Sequence, residues 1–282
     1  VELADGYIKA SCKNGLIGNR IVFPIISVGA TENAMMAASL AKGRTEIINA
    51  AREPEIIDLG NCLNAMGAKI TGYGTDHIII DGVDALTSAT HNVIADRIEA
   101  GTFAIAAAIT QGDITLTQMN PKYLDALFAV IEQTGATVET GDNWARVIAD
   151  KRPKSIDVAT QPYPGFPTDL QAQFMCLMAV AEGSSRISET IFENRFMHVP
   201  ELIRMGADVQ IDGRSCIVHG TLHLKPAPVM ATDLRASVCL VLAALVTKGT
   251  TTISRIYHLD RGYADLEEKL NNCGAKIQRL TE

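Results

Sequence analysis

No apolar run in the sequence approaches the roughly 18 to 20 residues of a membrane-crossing helix, so no membrane span is expected. No tract of lysine and arginine is present either. With a net charge of −7 this argues against a nucleic-acid surface, though it leaves room for a local cluster of arginines. The first residues lack a basic segment followed by an apolar one, so the expectation is a soluble, cytoplasmic protein. Six cysteines, Cys12, Cys62, Cys176, Cys216, Cys239 and Cys273, are scattered without C-x-x-C spacing, which suggests neither zinc nor a disulfide framework. Cys62, Cys176, Cys239 and Cys273 fall inside expected helices, where a thiol serves as a small buried hydrophobe. His198 and His258 lack the neighbours of a triad or a metal site and read as structural.

Repetition is what the sequence does have. Gly-Ala recurs at Gly67-Ala68, Gly135-Ala136, Gly206-Ala207 and Gly274-Ala275, in steps of 68, 71 and 68 residues. A second glycine keeps the same beat at Gly43, Gly112, Gly183 and Gly249. One supersecondary unit of about 70 residues is therefore used four times. Each copy opens on a polar helix start: Ser27 to Thr31, Asp96 to Glu99, Thr168 to Gln171, and Thr232 to Arg235. In the last three copies the helix that follows is apolar on nearly every face, over Phe103 to Ile109, Phe174 to Ala181 and Val238 to Val246, and should be buried. A glycine stops it and a strand follows, such as Arg44 to Ile48 or Thr250 to Ile253. A second helix with a single apolar stripe (Ile56, Leu59, Leu63 and Met66; Tyr263, Leu266 and Leu270) ends at Gly-Ala. The tails Lys69-Ile70, Thr137-Val138, Asp208 to Ile211 and Lys276-Ile277 read as further strands, paired in hairpins with segments such as His77 to Ile80. The unit is βαβαββ-like and the fold class is α/β with mixed sheets.

The length of 282 residues and 47% hydrophobic content allow two cores. The expected break lies at Asn92 to Ala95, giving a partial first domain over residues 1–94, with one full repeat and a leading hairpin, and a second of three repeats over residues 95–282. The chain begins at Val1, in a strand-like segment around Tyr7 to Ala10, and is expected to be a piece of a longer protein.

The chemistry-bearing residues gather at the helix starts, whose free N–H groups and positive dipole ends suit anions. Asp169 and Asp233 occupy matching positions. An aspartate there is ordinarily an N-cap, but Pro162, Pro164 and Pro167 stiffen the approach to Asp169. Arg195, Arg235 and Arg261 each offer a fork of donors for carboxylate or phosphate. Salt bridging to nearby acids is the competing reading for Arg195 and Arg235, and Arg261, before Gly262 at a loop-to-helix junction, is the strongest candidate for a ligand contact.

Several segments resemble the signatures of the enolpyruvyl transferases, in order along the whole chain. They are Ser27-Val28-Gly29-Ala30-Thr31, Ala51-Arg52-Glu53-Pro54-Glu55-Ile56, Asp96-Arg97-Ile98-Glu99-Ala100-Gly101-Thr102-Phe103, Phe166-Pro167-Thr168-Asp169-Leu170-Gln171, Phe192-Glu193-Asn194-Arg195-Phe196-Met197-His198, Ala231-Thr232-Asp233-Leu234-Arg235 and Asp260-Arg261-Gly262-Tyr263. The resemblance is to the members that act on UDP-N-acetylglucosamine, and it implies two inside-out α/β barrels, each of three βαβαββ units around buried helices. It further implies transfer of the enolpyruvyl group of phosphoenolpyruvate to the sugar 3′-hydroxyl with release of phosphate, the first committed step of peptidoglycan synthesis, with no metal and no cofactor. By that resemblance Asp169 is the acid at the sugar hydroxyl, and Ser27, Val28 and Gly29 hold the diphosphate. Thr168, Ile191 and Phe192 line the nucleotide sugar. Arg261 meets phosphoenolpyruvate, with Asp233, Arg235 and Arg195 around it.

The departures are as specific. The family's first third carries a Lys-Asn pair, further arginines and a loop cysteine that donates a proton, and this chain contains none of that segment. Ile25 stands where some members carry a lysine. The chain alone is accordingly expected not to turn over, and its partners are the two substrates and the missing N-terminal segment of the same protein. Two alternatives stand beside this reading: the shikimate-pathway transferase, whose pattern fits Phe166 to Phe174 and Glu193 to Leu202 poorly, and a non-catalytic module that binds UDP-sugar.

Overall fold

A computed structural model describes residues 1–280, which fall into two compact units, one over Val1–Ile94 and the other from Ala95 onward. In the first, β1 (Glu2–Ala4) and β2 (Tyr7–Lys9) form a hairpin whose turn, Asp5-Gly6, has positive φ at both residues, the backbone that a two-residue hairpin requires. One complete repeat follows: β3 (Arg20–Val22), α1 (Val28–Ser39), β4 (Arg44–Ile48), α2 (Pro54–Ala65), β5 (Lys69–Thr71) and β6 (His77–Asp81). Its sheet runs β3-β4-β6-β5, with β3 and β4 parallel and the other pairs antiparallel. Met35, Ile47, Ile56, Ile78 and Ile80 fill a small core under this sheet.

The second unit holds three copies. The first is α3 (Arg97–Thr110), β7 (Asp113–Thr117), α4 (Asp125–Gln133), β8 (Thr137–Thr140) and β9 (Trp144–Ile148), with strand order β7-β9-β8. The next is β10 (Val158–Ala159), α5 (Gln171–Ala179), β11 (Ser184–Ser188), α6 (Val199–Arg204), β12 (Asp208–Asp212) and β13 (Ser215–His219). Its order, β10-β11-β13-β12, reproduces the pairing of the first unit strand for strand. The last is β14 (Pro228–Met230), α7 (Val238–Leu245), β15 (Thr252–Ser254) and α8 (Leu266–Asn272), with β14 and β15 parallel. α3, α5 and α7 pack on one another at the centre of this unit. Ile98 and the run Gly101 to Ile109, Gln171 to Ala179, and Val238 to Ala243 are buried along essentially their whole length. A helix apolar on all faces has no side to give to water, so the sheets lie outside and the helices inside, as the hydrophobic patterning requires.

Two of the four copies are incomplete. The first copy of the second unit has no leading strand, because the segment before α3 is irregular, and the last has no closing hairpin among the described residues. The strand expected at Lys276-Ile277 is absent: Asn271 instead holds the main chain of Ile277 through its side-chain amide, at 2.8 Å in both directions. Asn64 grips Ile70 in the same way at 2.9 Å, and there the segment goes on to pair as β5.

The glycines of the repeat act as helix stops. Gly67, Gly135, Gly206 and Gly274 have φ between +88° and +103°. In three of them the next residue's N–H reaches back to the helix, Ala68 to Leu63, Ala207 to Leu202 and Ala275 to Leu270, at 3.0 to 3.1 Å, closing the left-handed cap that only glycine adopts without penalty. The other beat holds at Gly43, Gly183 and Gly249 but shifts by one in the second copy, where Gln111 takes the left-handed conformation in place of Gly112.

Candidate active site

In the second unit the helix starts are tied together by polar side chains, although each aspartate is used differently. Asp96 caps α3 with one oxygen, accepting from Ile98 and Glu99 at 2.8 and 3.1 Å, and takes Arg235 on the other at 3.2 Å. Asp233 caps the turn ahead of α7, accepting from the N–H groups of Arg235 and Ala236, so the cap reading holds there. Asp169 makes no cap bond. It sits in the short 3-10 turn Thr168–Leu170, 40% exposed, with its carboxylate held by Arg195.

Below it Gln173 donates to the Asp169 carbonyl at 2.9 Å and to Thr102 and Tyr263 at 3.3 Å, while Thr102 and Tyr263 share a bond of 2.9 Å. Arg235 lies over the Tyr263 ring and donates to the Gly262 carbonyl. Burial works against its charge, but Asp96, Tyr263 and, more weakly, Asp169 outweigh that and leave its pKa above the ordinary value. Burial raises the Tyr263 phenol, opposed by Thr102, Arg235 and Gln173. Arg195 and Arg235 are thus paired arginines. Arg261 is not: it is exposed at the end of a 3-10 turn and makes no hydrogen bond or ion pair with the described residues.

The loop after β11 completes this face. Ile191 and Phe192 are exposed, and Arg195 lies 5.2 Å from the Phe192 ring centre. Their backbone is shaped by Glu189, a residue the sequence reading missed. Glu189 is 2% exposed, and its carboxylate accepts four bonds: from the hydroxyls of Thr160 and Thr168 and from the N–H groups of Ile191 and Phe192, at 2.8 to 2.9 Å. Nothing in the sequence distinguishes it from a surface glutamate at a strand end, since its burial depends on chain segments up to 29 residues away. A groove of about 500 Å³ runs under the loop, lined by Phe192, Arg195, Phe196, Ile211 and Arg214. A larger depression of about 790 Å³ lies on the β7-β9-β8 sheet, where Arg146 is paired with Asp113 and Glu139. It holds none of the candidate residues.

In the first unit Ser27 caps α1, its hydroxyl accepting from Ala30. Val28 and Gly29 form the first turn, and nothing lies within 4 Å of where a Gly29 Cβ would stand. Ile25 is exposed beside them. The cysteine expectation needs correction: Cys176 and Cys239 are fully buried, but Cys62 is half-buried and Cys273 is exposed just beyond α8. The helical stripe ends before Cys273, so that position faces water. Burial raises the thiols of Cys176, Cys216 (to about 12) and Cys239, which leaves them protonated and inert. Among the described residues no cluster of metal-binding side chains occurs.

Helices enclosed by repeated sheets, with charged helix starts gathered at one face, are the architecture of the second unit, and the comparisons with known proteins assign it to the carboxyvinyl transferases. The sequence profile of the EPSP synthase (3-phosphoshikimate 1-carboxyvinyltransferase) family matches residues 1–270. A solved enolpyruvyl transferase, NikO from Streptomyces tendae, superposes with a TM-score of 0.79 at 29% identity, over 89% of this chain and 60% of its own. The chain belongs to the enolpyruvyl transferase family, in the branch of the UDP-N-acetylglucosamine 1-carboxyvinyltransferases. The protein of that name from Shewanella pealeana is 55% identical over 281 residues, 99% of this chain and 67% of the relative. That from Gluconacetobacter diazotrophicus is 56% identical over 282 residues, the whole chain and 67% of the relative. The chain thus spans about two thirds of the length of the curated relatives it matches.

Proposed function

We propose that this chain supplies the sugar-facing and part of the phosphoenolpyruvate-facing machinery for transfer of the carboxyvinyl group to UDP-N-acetylglucosamine. The substrate assignment rests on one observation, the identity of about 55% to proteins of that name across essentially the whole chain. In this reading Asp169, held by Arg195 and free of any capping duty, takes the proton from the sugar 3′-hydroxyl as its oxygen bonds to C2 of phosphoenolpyruvate. The methylene carbon gains a proton and becomes a methyl, and departure of phosphate together with loss of a proton from that methyl then regenerates the double bond. Arg261, unpaired and exposed, meets the phosphate or carboxylate of phosphoenolpyruvate, and Arg235 and Asp233 fix the charged surroundings. The free N–H groups following Ser27, at Val28 and Gly29, receive the diphosphate. Thr168, Ile191 and Phe192 contact the nucleotide sugar. By the family resemblance, the proton for the methylene carbon is assigned to a group outside these residues. The reaction would serve cell-wall peptidoglycan synthesis in the cytoplasm, and with it cell shape and division.

The test is phosphate release from phosphoenolpyruvate, measured on the 282-residue chain and on the full open reading frame that encodes it. Release by the full frame with UDP-N-acetylglucosamine and not with 3-phosphoshikimate is expected, with binding but no turnover for the chain alone. Release with 3-phosphoshikimate would move the assignment to the shikimate pathway. UDP-sugar binding without turnover by the full frame would make it a non-catalytic module.

A further inference from the structure

A buried carboxylate is costly unless its oxygens are satisfied, and Glu189 is satisfied in an unusually directed way. One oxygen accepts the N–H groups of Ile191 and Phe192 and the Thr160 hydroxyl, and the other accepts the Thr168 hydroxyl. The main chain around it is fixed from the opposite side. Its own N–H donates to the Arg214 carbonyl at 2.8 Å, and the Arg214 guanidinium donates to the carbonyls of Glu189 and Thr190 at 3.2 Å. The Thr190 N–H goes to the Thr160 hydroxyl oxygen at 2.9 Å. Glu189 therefore joins the end of β10, the turn carrying Asp169 and the loop carrying Phe192.

The polarity of these bonds has a chemical consequence. A hydroxyl has one proton and two lone pairs. Thr168 has committed its proton to Glu189, so toward a ligand it presents lone pairs only. Ile191 and Phe192 have likewise committed their N–H groups, and they meet a ligand with their exposed side chains. We infer that Glu189 is a positioning residue of the nucleotide-sugar contact: it makes this edge of the site an acceptor and apolar surface, which selects a ligand group that donates a hydrogen bond, such as the acetamido N–H or a hydroxyl of an amino sugar. The inference rests on the substrate reading proposed above.

Glu189→Gln tests it. A carboxamide keeps the size and neutralises nothing on the ligand, but one of its ends is an NH₂ that must face donors. With its oxygen toward the two N–H groups and Thr160, the NH₂ donates to Thr168 and turns the threonine proton outward, reversing its polarity. In the full reading frame E189Q is expected to raise KM for UDP-N-acetylglucosamine roughly tenfold, the scale of one misplaced hydrogen bond. KM for phosphoenolpyruvate and kcat should stay within about twofold. Thr168→Val, which removes the acceptor itself, should raise the same KM by a similar factor, and E189Q/T168V should be no weaker than T168V. A folded E189Q with unchanged KM, or a double variant whose losses multiply, would overturn the inference while leaving wild-type binding and turnover intact. If E189Q does not fold, an unchanged KM in T168V overturns it equally. A wild-type protein that neither binds nor uses UDP-N-acetylglucosamine would instead sink the substrate reading, and this inference with it.

Discussion

His198 gives the protein a predictable sensitivity to acid. It stands at the start of α6, fully buried, and neither ring nitrogen makes a well-aligned hydrogen bond. Burial lowers its pKa from 6.5 to about 4; Asp233 and a contact with the Arg195 main chain pull the other way, and the Arg195 charge adds to the lowering. In the unfolded chain the imidazole takes its proton near pH 6.5, whereas in the folded chain it resists until about pH 4. The unfolded state thus binds more protons across this window, and stability is full above pH 6.5 and lost as the pH falls from 6.5 to 4. At about 1.4 kcal/mol per unit, the loss from His198 alone between pH 7.5 and pH 5 is roughly 2 kcal/mol. For a unit of this size that is a fall of about 4–8 °C in melting temperature. The single tryptophan, Trp144, lies in the same unit, so its fluorescence during urea unfolding reports the unit in question. His198→Leu removes the titration and gives up only a weak contact with the Arg195 main chain. The difference in stability between the two pH values should shrink by roughly 2 kcal/mol in the variant. Equal pH dependence in the two proteins would refute the assignment of that acid sensitivity to His198.

The catalytic reading of Asp169 predicts that Asp169→Asn in the full reading frame lowers kcat by about 10² to 10⁴, with UDP-sugar affinity and melting temperature little changed, since no cap bond is lost and the amide oxygen still accepts from Arg195; a lowered melting temperature with normal kcat would return Asp169 to a structural role. Gly206→Ala forces a side chain into φ +88° and should lose about 1–2 kcal/mol by denaturant unfolding. Gly220→Ala should be worse, because its Cβ would stand 1.9 Å from the Ala181 carbonyl oxygen, and a soluble variant of unchanged stability would contradict the packing described. Phe174→Ala, at the fully buried centre of α5, should cost about 3–5 kcal/mol.

The repeat, its helix stops and its all-round apolar helices were legible in the sequence because each is a local property. A glycine at a helix end announces the left-handed cap at Gly67 or Gly206, and a run such as Phe103 to Ile109 has no polar face to offer water. The equivalence of Asp169 and Asp233 was legible too, but not their difference. Asp233 keeps the local capping role ordinary for such a position, and only the tertiary structure draws Asp169 away from it to Arg195, 26 residues on. It also turns Lys276-Ile277 away from a strand, because strand formation needs a neighbour to pair with and not only an alternating pattern. Glu189 is the clearest case. Local sequence predicts an exposed glutamate whose carboxylate meets at most the N–H groups of Ile191 and Phe192, and what completes its burial is the approach of the Thr160 and Thr168 hydroxyls from 29 and 21 residues away, which no local pattern could bring into view.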